Sequence, residues 1–233
     1  ISLLTSFRLR HKVLCALQQF IDNIKLSGEI QSDEKYFSIN LKGTKPSNMP
    51  RFSKKRTSTK SSCRGISHHK VCVASSIDEN DNLMLKIVGL GRCTTKMLEN
   101  SLGQKINKAK SVITDSASAY QQFCKDNKLI LHAIPSGFHS DGIYNIAEIN
   151  GVHSQLETWL TKFRGVSTRH FQEYLNWFVY VFIMKKRFML NKIKTESYSK
   201  ILTNDNYIKS KDIFNIKMPI DLRIAYAEYL NQS

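Results

Sequence analysis

Five residues of this chain have the types and spacing to act together on a phosphate. Asp33 stands in the middle of the alternating segment GEIQSDEKYFSINL, and Asp115 ends the short apolar run SVITD. If the two segments are neighbouring strands, both carboxylates reach one edge of a site. Such a pair suits Mg²⁺ or Mn²⁺, hard ions that take oxygen ligands and bridge phosphate oxygens. Two ions held ~4 Å apart can serve an attacking and a leaving oxygen at once. Further along, Asn150, His153 and Glu157 recur at i, i+3 and i+7 and share one helix face. Each residue also has a plainer reading. Asp33 could be a surface residue, Asp115 and Asn150 could cap helices, and His153 and Glu157 could simply face solvent.

The elements that must carry these residues follow from periodicity. Residues 5–25 place Phe7, Val13, Leu14, Leu17, Phe20, Ile21 and Ile24 at helical spacing, with Gly28 as the stop signal. A strand follows around Asp33. The runs VCVASSI (71–77) and NLMLKIVGLG (82–91) flank Asp78-Glu79-Asn80-Asp81 and predict a hairpin. Thr94 or Thr95 caps a helix reaching about Ile106, SVITD is a strand, a helix starts near Ser116, and LILHAIP (129–135) is a further strand. After a Gly-containing loop come helices at about 149–163 and 168–187. In the first of these, Val152, Leu156, Trp159, Leu160 and Phe163 form an apolar stripe about a third of a turn from the Asn150–His153–Glu157 row. The helix can thus pack on a sheet and present the row toward the two aspartates. Early strands joined by short turns are antiparallel, and later strands joined through helices are parallel. The expected fold is α/β, a mixed five-stranded sheet flanked by helices, similar to the ribonuclease-H-like arrangement.

Composition constrains the partner. The 233 residues include 35 Lys+Arg and 19 Asp+Glu, a formal net charge of +16, which favours a polyanion. Residues 42–70 hold nine basic side chains and no acidic one, among Pro, Gly, Ser and Thr, whereas residues 71–150 balance at eight against eight. Lys42, Lys45, Arg51, Lys54, Lys55, Arg56, Lys60 and Arg64, with Lys185, Lys186 and Arg187 later in the chain, are candidate phosphate contacts. The competing reading of 42–70 is a solvated insertion. The longest apolar run, Trp177 to Met184, is far short of the ~20 residues a membrane span needs. Five cysteines with no C-x-x-C spacing suggest a reducing compartment rather than a disulfide framework or zinc ribbon. The adjacent His68 and His69 lack further nearby ligands and read as loop residues.

Several segments together resemble the DDE transposases of bacterial insertion sequences, specifically the ISXO-type group. They are TSFRLRHKVLCAL, GEIQSDEKYFSINLKG, PRFSKKR, CRGIS, VCVASSID, VITDSASAYQQF and INGVHSQLETWLTKFRGVSTRHFQEYLNWF, covering roughly residues 3–185 in the family's order and spacing. The resemblance implies a catalytic domain over 28–187 that contains the basic insertion, a helical lead-in over 1–27, and a basic, partly helical tail over 188–233. It implies that Asp33 and Asp115 hold Mg²⁺ or Mn²⁺, in two sites, for cleavage at element ends and strand transfer into target DNA. The third catalytic position falls within INGVHSQLE, with Asn150 and His153 as candidates. Family members usually carry a lysine one turn further on, where this chain has Glu157. Either Glu157 supplies a third carboxylate, or the copy is impaired.

The family's N-terminal zinc ribbon and helix-turn-helix have no counterpart here, so recognition of element ends is expected to reside in a segment not included. A homo-oligomer on DNA and a bacterial cytoplasmic, nucleoid-associated location are further implications. Two alternatives remain at this level: a remnant that only binds DNA, and a structure-selective nuclease on the same fold.

Overall fold

A computed structural model describes residues 1–44, 69–115, 118–135, 137–138, 140–189 and 208–222. The centre of the sheet is β1 (Leu26–Ser38), which pairs antiparallel with β2 (Lys70–Asp78). The hairpin continues into β3 (Leu83–Leu90), again antiparallel. On its other edge β1 runs parallel to β4 (Ile106–Asp115), and β4 runs parallel to β5 (Ile130–Ile134). The order β3-β2-β1-β4-β5 is the expected mixed five-stranded sheet.

Burial explains the strand chemistry. From Val71 to Asp78 every residue of β2 is buried, which suits the small and β-branched run VCVASSI. The β2–β3 turn is built by Asp78. Its Oδ1 accepts from the backbone N–H groups of Asn80 and Asn82, at 2.9 Å each, and its Oδ2 from that of Ser27 at 3.0 Å. The turn is therefore tied to the start of β1, and Asp81 takes the left-handed conformation (φ 61°) that aspartate tolerates.

Five α-helices cover the sheet: α1 (Leu3–Asp22), the short α2 (Thr95–Leu98), α3 (Ser118–Asp126), α4 (Ala147–Thr161) and α5 (Phe171–Met189). The last helix packs on α1 and β3, α4 packs on β1 and β2, and α3 packs on α2 and β5. Their apolar faces meet in one core that includes Leu26, Ile30, Val112, Tyr120, Phe123, Ile149, Leu156 and Leu175.

Several boundaries depart from the sequence pattern, each for a local reason. The first helix ends at Asp22, capped by Asn23. Gly28 instead lies inside β1, at an irregularity in the pairing with β4, where its φ of 67° suits glycine. The expected helix to Ile106 is one turn of α2 followed by a π-helical turn, Glu99–Gly103. Gly103 closes that turn, and β4 starts at Ile106, five residues before the apolar run SVITD. The Gly-containing loop carries a two-residue hairpin, β6 (Ser140–Asp141) with β7 (Tyr144–Asn145), whose Tyr144 ring stacks on His132 at 3.6 Å. A 3₁₀ turn, Thr168–His170, leads into α5. The tail also joins the body: Ile213, in a 3₁₀ turn over Asp212–Asn215, is fully buried.

The placement of α4 sets up the site. Its N-cap residue, Ile146, has no side chain able to accept, so the first N–H groups must find an acceptor elsewhere. Gln31 of β1 provides it: its Oε1 accepts from the backbone N–H groups of Glu148 and Ile149, both at 3.1 Å. An apolar residue in place of Gln31 leaves both groups without this partner. Gln31→Leu should therefore lower stability by about 1–2 kcal/mol, read as a drop in the urea midpoint at unchanged m-value. An unshifted midpoint contradicts the cap.

Candidate active site

The site lies just beyond the last β1–β4 pair, at the end of β4 and midway along β1, which continues to Ser38 against β2. Gln31 pairs with Ile113 across the two parallel strands, and Asp33 and Asp115 each follow two residues later. Their carboxylates meet, and a third joins them from Glu34: oxygens of Asp33, Glu34 and Asp115 all lie within 4.8 Å of one another. Asp33 and Glu34 are half-buried and Asp115 is exposed, so the cluster opens to solvent at one side. The backbone N–H of Glu34 donates to Asp33 Oδ1 at 2.7 Å, which orients that carboxylate.

Burial, with the charges alongside, shows in the protonation of Asp33 and Glu34. Burial pushes the Asp33 carboxyl up to about 6, opposed by the Glu34 N–H and assisted by the Asp115 charge. Burial, together with the charges of Asp33 and Asp115, pushes Glu34 up to about 7. Both carboxyls are held where a further positive charge would stabilise their ionised forms.

The α4 residues meet the same face of β1. His153 is 4 % exposed, and its Nδ1 stands 3.5 Å from Asp33 Oδ2. Burial first, and the Lys35 charge second, lower its pKa to about 4, so at neutral pH the imidazole is uncharged. One turn further along, Glu157 Oε1 holds Lys35 Nζ at 2.9 Å. Asn150 is half-buried one turn before His153. The Asn150–His153–Glu157 row therefore lies along β1. The third carboxylate in the cluster, however, belongs to Glu34 and not to α4.

Glu34 was missed by sequence reasoning. Strict alternation sends Glu34 to the sheet face opposite Asp33, toward Cys93 and Tyr120, whose ionisation it perturbs. The one signal was a second acidic residue directly after Asp33 in a segment otherwise destined for burial. Partnerless buried atoms also gather here: Glu34 Oε1, His153 Nε2, Thr114 Oγ1 and Tyr120 OH have no hydrogen-bond partner. Such groups are uncommon in folded proteins and mark places where something else is accommodated.

The three carboxylates offer hard oxygen donors, and Glu34 Oε1 is buried without a partner, so the residues present fit Mg²⁺ or Mn²⁺.

The basic residues fall differently. Among those expected to contact phosphate, Lys45, Arg51, Lys54, Lys55, Arg56, Lys60 and Arg64, like His68, lie outside the described residues. Lys42 is exposed, and its Nζ reaches the Gly165 carbonyl at 3.4 Å. Lys185 is exposed. Lys186 is engaged by Asp81 at 2.6 Å and Glu148 at 3.6 Å, and Arg187 reaches Asn82 at 3.5 Å. Lys186 therefore links the β2–β3 turn to α4, and Arg187 ties the same turn to α5. Among the described residues no helix is long and apolar enough to cross a membrane.

A mixed sheet in this order, with helices around it and acidic residues midway along β1 and at the end of β4, is a ribonuclease-H-like fold. The ISXO2-like transposase domain matches residues 25–182, more than half of the chain, and the chain belongs to that transposase family. Among solved structures it is similar to a chain of the simian T-cell lymphotropic virus intasome in complex with PP2A regulatory subunit B56 gamma. The identity is 14%, the TM-score 0.36, and the match covers 69% of this chain and 48% of that one. This chain thus spans about half the length of that neighbour. No curated protein sequence matches it.

The carboxylate cluster predicts a response to cations. Mg²⁺ or Mn²⁺ at a hundred times its dissociation constant should stabilise the fold by about 2.7 kcal/mol, seen as a rise in Tm. Asp33→Asn should remove that rise. A Tm that does not move at saturating cation, or moves equally in the variant, contradicts cation binding at this cluster.

Proposed function

We propose that this domain cleaves a phosphodiester at the end of a mobile DNA element and joins the freed end to target DNA. The observation that supports this most is the convergence of Asp33 and Glu34, midway along β1, with Asp115 at the end of the parallel strand β4, within a chain of the transposase family. Asp33 and Asp115, with Glu34, would hold the divalent cations. When bound, the cations supply charge stabilisation to a phosphate passing through an in-line displacement. In the first step water attacks the phosphorus and releases a 3′-hydroxyl. In the second that hydroxyl attacks a target phosphodiester, so one bond forms for each one broken.

The chain's own residues then have distinct tasks. His153, uncharged and buried, backs Asp33 and keeps its orientation. Asn150 completes the wall on the same helix. Lys35 directs an ammonium to the site's rim, held there by Glu157, and contacts a phosphate oxygen of the DNA. The lysine that relatives usually carry on the helix is therefore replaced by a lysine on the facing strand, with Glu157 as its holder. That arrangement favours an active enzyme over a remnant that only binds DNA. Exposed Lys42 and Lys185 and the basic residues of the 42–70 stretch would grip the DNA backbone, contacts that position without specifying sequence. Assembly of two or more copies on paired element ends belongs to the same reading.

Two experiments test it. Asp33→Asn and Asp115→Asn should each lower Mg²⁺-dependent cleavage of element-end DNA by about a hundredfold or more. DNA binding, measured by fluorescence anisotropy, should stay within about threefold; undiminished cleavage by either variant rejects the assignment. Lys35→Met should lower cleavage about tenfold or more, the worth of one charge-assisted contact to phosphate, with the cation-induced rise in Tm retained. Full activity in that variant would remove Lys35 from the site.

A further inference from the structure

A second cluster, away from the carboxylates, has a different chemistry. His11 on α1, His170 at the end of the 3₁₀ turn and Glu173 on α5 bring three ligand atoms within 4.8 Å of one another. Both imidazoles turn Nδ1 toward the same oxygen: Glu173 Oε2 lies 2.5 Å from His11 and 3.3 Å from His170. His11 is 1 % exposed, although histidine has only an intermediate tendency to be buried. Its ring is packed between Phe7 at 4.3 Å and His170 at 4.2 Å, so the two imidazoles cannot easily swing away.

We propose that His11, His170 and Glu173 form a transition-metal site of the Zn²⁺ class that fastens α1 to α5. Two imidazole nitrogens and one carboxylate are the donors that borderline ions such as Zn²⁺ select, whereas Mg²⁺ prefers all-oxygen sites. The single carboxylate leaves the site with one negative charge against the incoming dication. In the present arrangement Glu173 Oε2 stands between the two nitrogens. An ion ~2.0–2.1 Å from each nitrogen would sit where both imidazoles now meet Glu173 Oε2, with the carboxylate drawn back to become its oxygen ligand. Three protein ligands leave a fourth position. His11 and His170 line a cavity of 960 Å³ whose wall also carries Arg10, Lys42, Lys162 and Arg169. That basic wall favours a hydroxide or another small anion as the fourth ligand.

The site would do structural service. α1 leads directly into β1, the strand that carries Asp33, and α5 packs on both α1 and β3. An ion bridging them fixes the lead-in helix to the body. The donors are distinct from Asp33, Glu34 and Asp115, so this proposal and the proposed catalytic reading can fail independently.

The test uses the full chain, stripped of metal and titrated with Zn²⁺ and, as a spectroscopic probe, Co²⁺. One equivalent should bind and resist a thousandfold excess of Mg²⁺. Bound Co²⁺ should show tetrahedral visible bands, and X-ray absorption of the Zn²⁺ form should report two imidazole ligands. His170→Asn and Glu173→Gln should each weaken binding at least about tenfold. The double substitution His68→Asn/His69→Asn and the single Asp33→Asn should leave it unchanged. Absence of a bound equivalent, spectra without two imidazoles, or binding lost with His68 and His69 instead would overturn the proposal. The absorption measurement on the unsubstituted chain stands even if a variant fails to fold.

Discussion

Gln31, Asp33 and Lys35 occupy one face of β1, and α4 meets each of them in turn, through the N–H groups of Glu148 and Ile149, through His153 and through Glu157. The match is geometric. Two residues along a strand advance ~6.6 Å, and four along a helix advance ~6 Å. A helix lying along a strand can therefore answer alternate strand residues with every fourth helix residue for about three rungs before the two repeats drift apart. The first rung is a cap, the second a contact between a buried neutral imidazole and a carboxylate, and the third an ion pair. A slip of one residue in β1 would send all three of its members to the other face and empty the site.

This ladder sits beside a deliberate imbalance. The second rung bears on a carboxyl that burial has already raised to about 6, next to a Glu34 carboxyl raised to about 7. Neither His153 nor Lys35 relieves this fully: the imidazole is neutral, and the ammonium is shared with Glu157. Stability gained from Gln31 and the core around Ile30, Val112 and Ile149 holds the acids together against their repulsion. The strongly basic balance of the chain, +16, lies largely outside this centre. Lys186 and Arg187, where described, serve the fold by bracing the β2–β3 turn.

Much of the fold could be read from the sequence because hydrophobic period and turn chemistry agreed. Asp78-Glu79-Asn80-Asp81 marked a hairpin, and Asp78 builds it; the strand–helix alternation after it forced parallel pairing of β4 and β5. Misreadings arose where one residue type serves two structures. Gly28 stops helices and also permits a strand irregularity, and only pairing with β4 distinguishes the two. Asp33 and Asp115 were visible as candidates, but their convergence depends on β1 and β4 being neighbours, a long-range fact. Glu34 was hidden because alternation assigns it to the far face, and only the placement of Asp115 beside β1 brings the three carboxylates together. The pairing of Glu157 with Lys35 was hidden for the same reason: 122 residues separate them, and only the ladder places one against the other. His11 carried no signal in the sequence, because its burial is set by α5.

The proposed function rests on Asp33, Glu34 and Asp115 acting as one cation-binding centre assembled by the β1–α4 ladder. Titration with substoichiometric Mn²⁺, followed by paramagnetic broadening of backbone amide signals in solution NMR, examines it residue by residue. Signals from residues 32–35, 114–115 and 153 should broaden first and together, while those of Leu26 and Ile106, at the opposite ends of β1 and β4, remain sharp. Broadening that starts elsewhere, or that reaches Asp115 without Asp33 and Glu34, would contradict it.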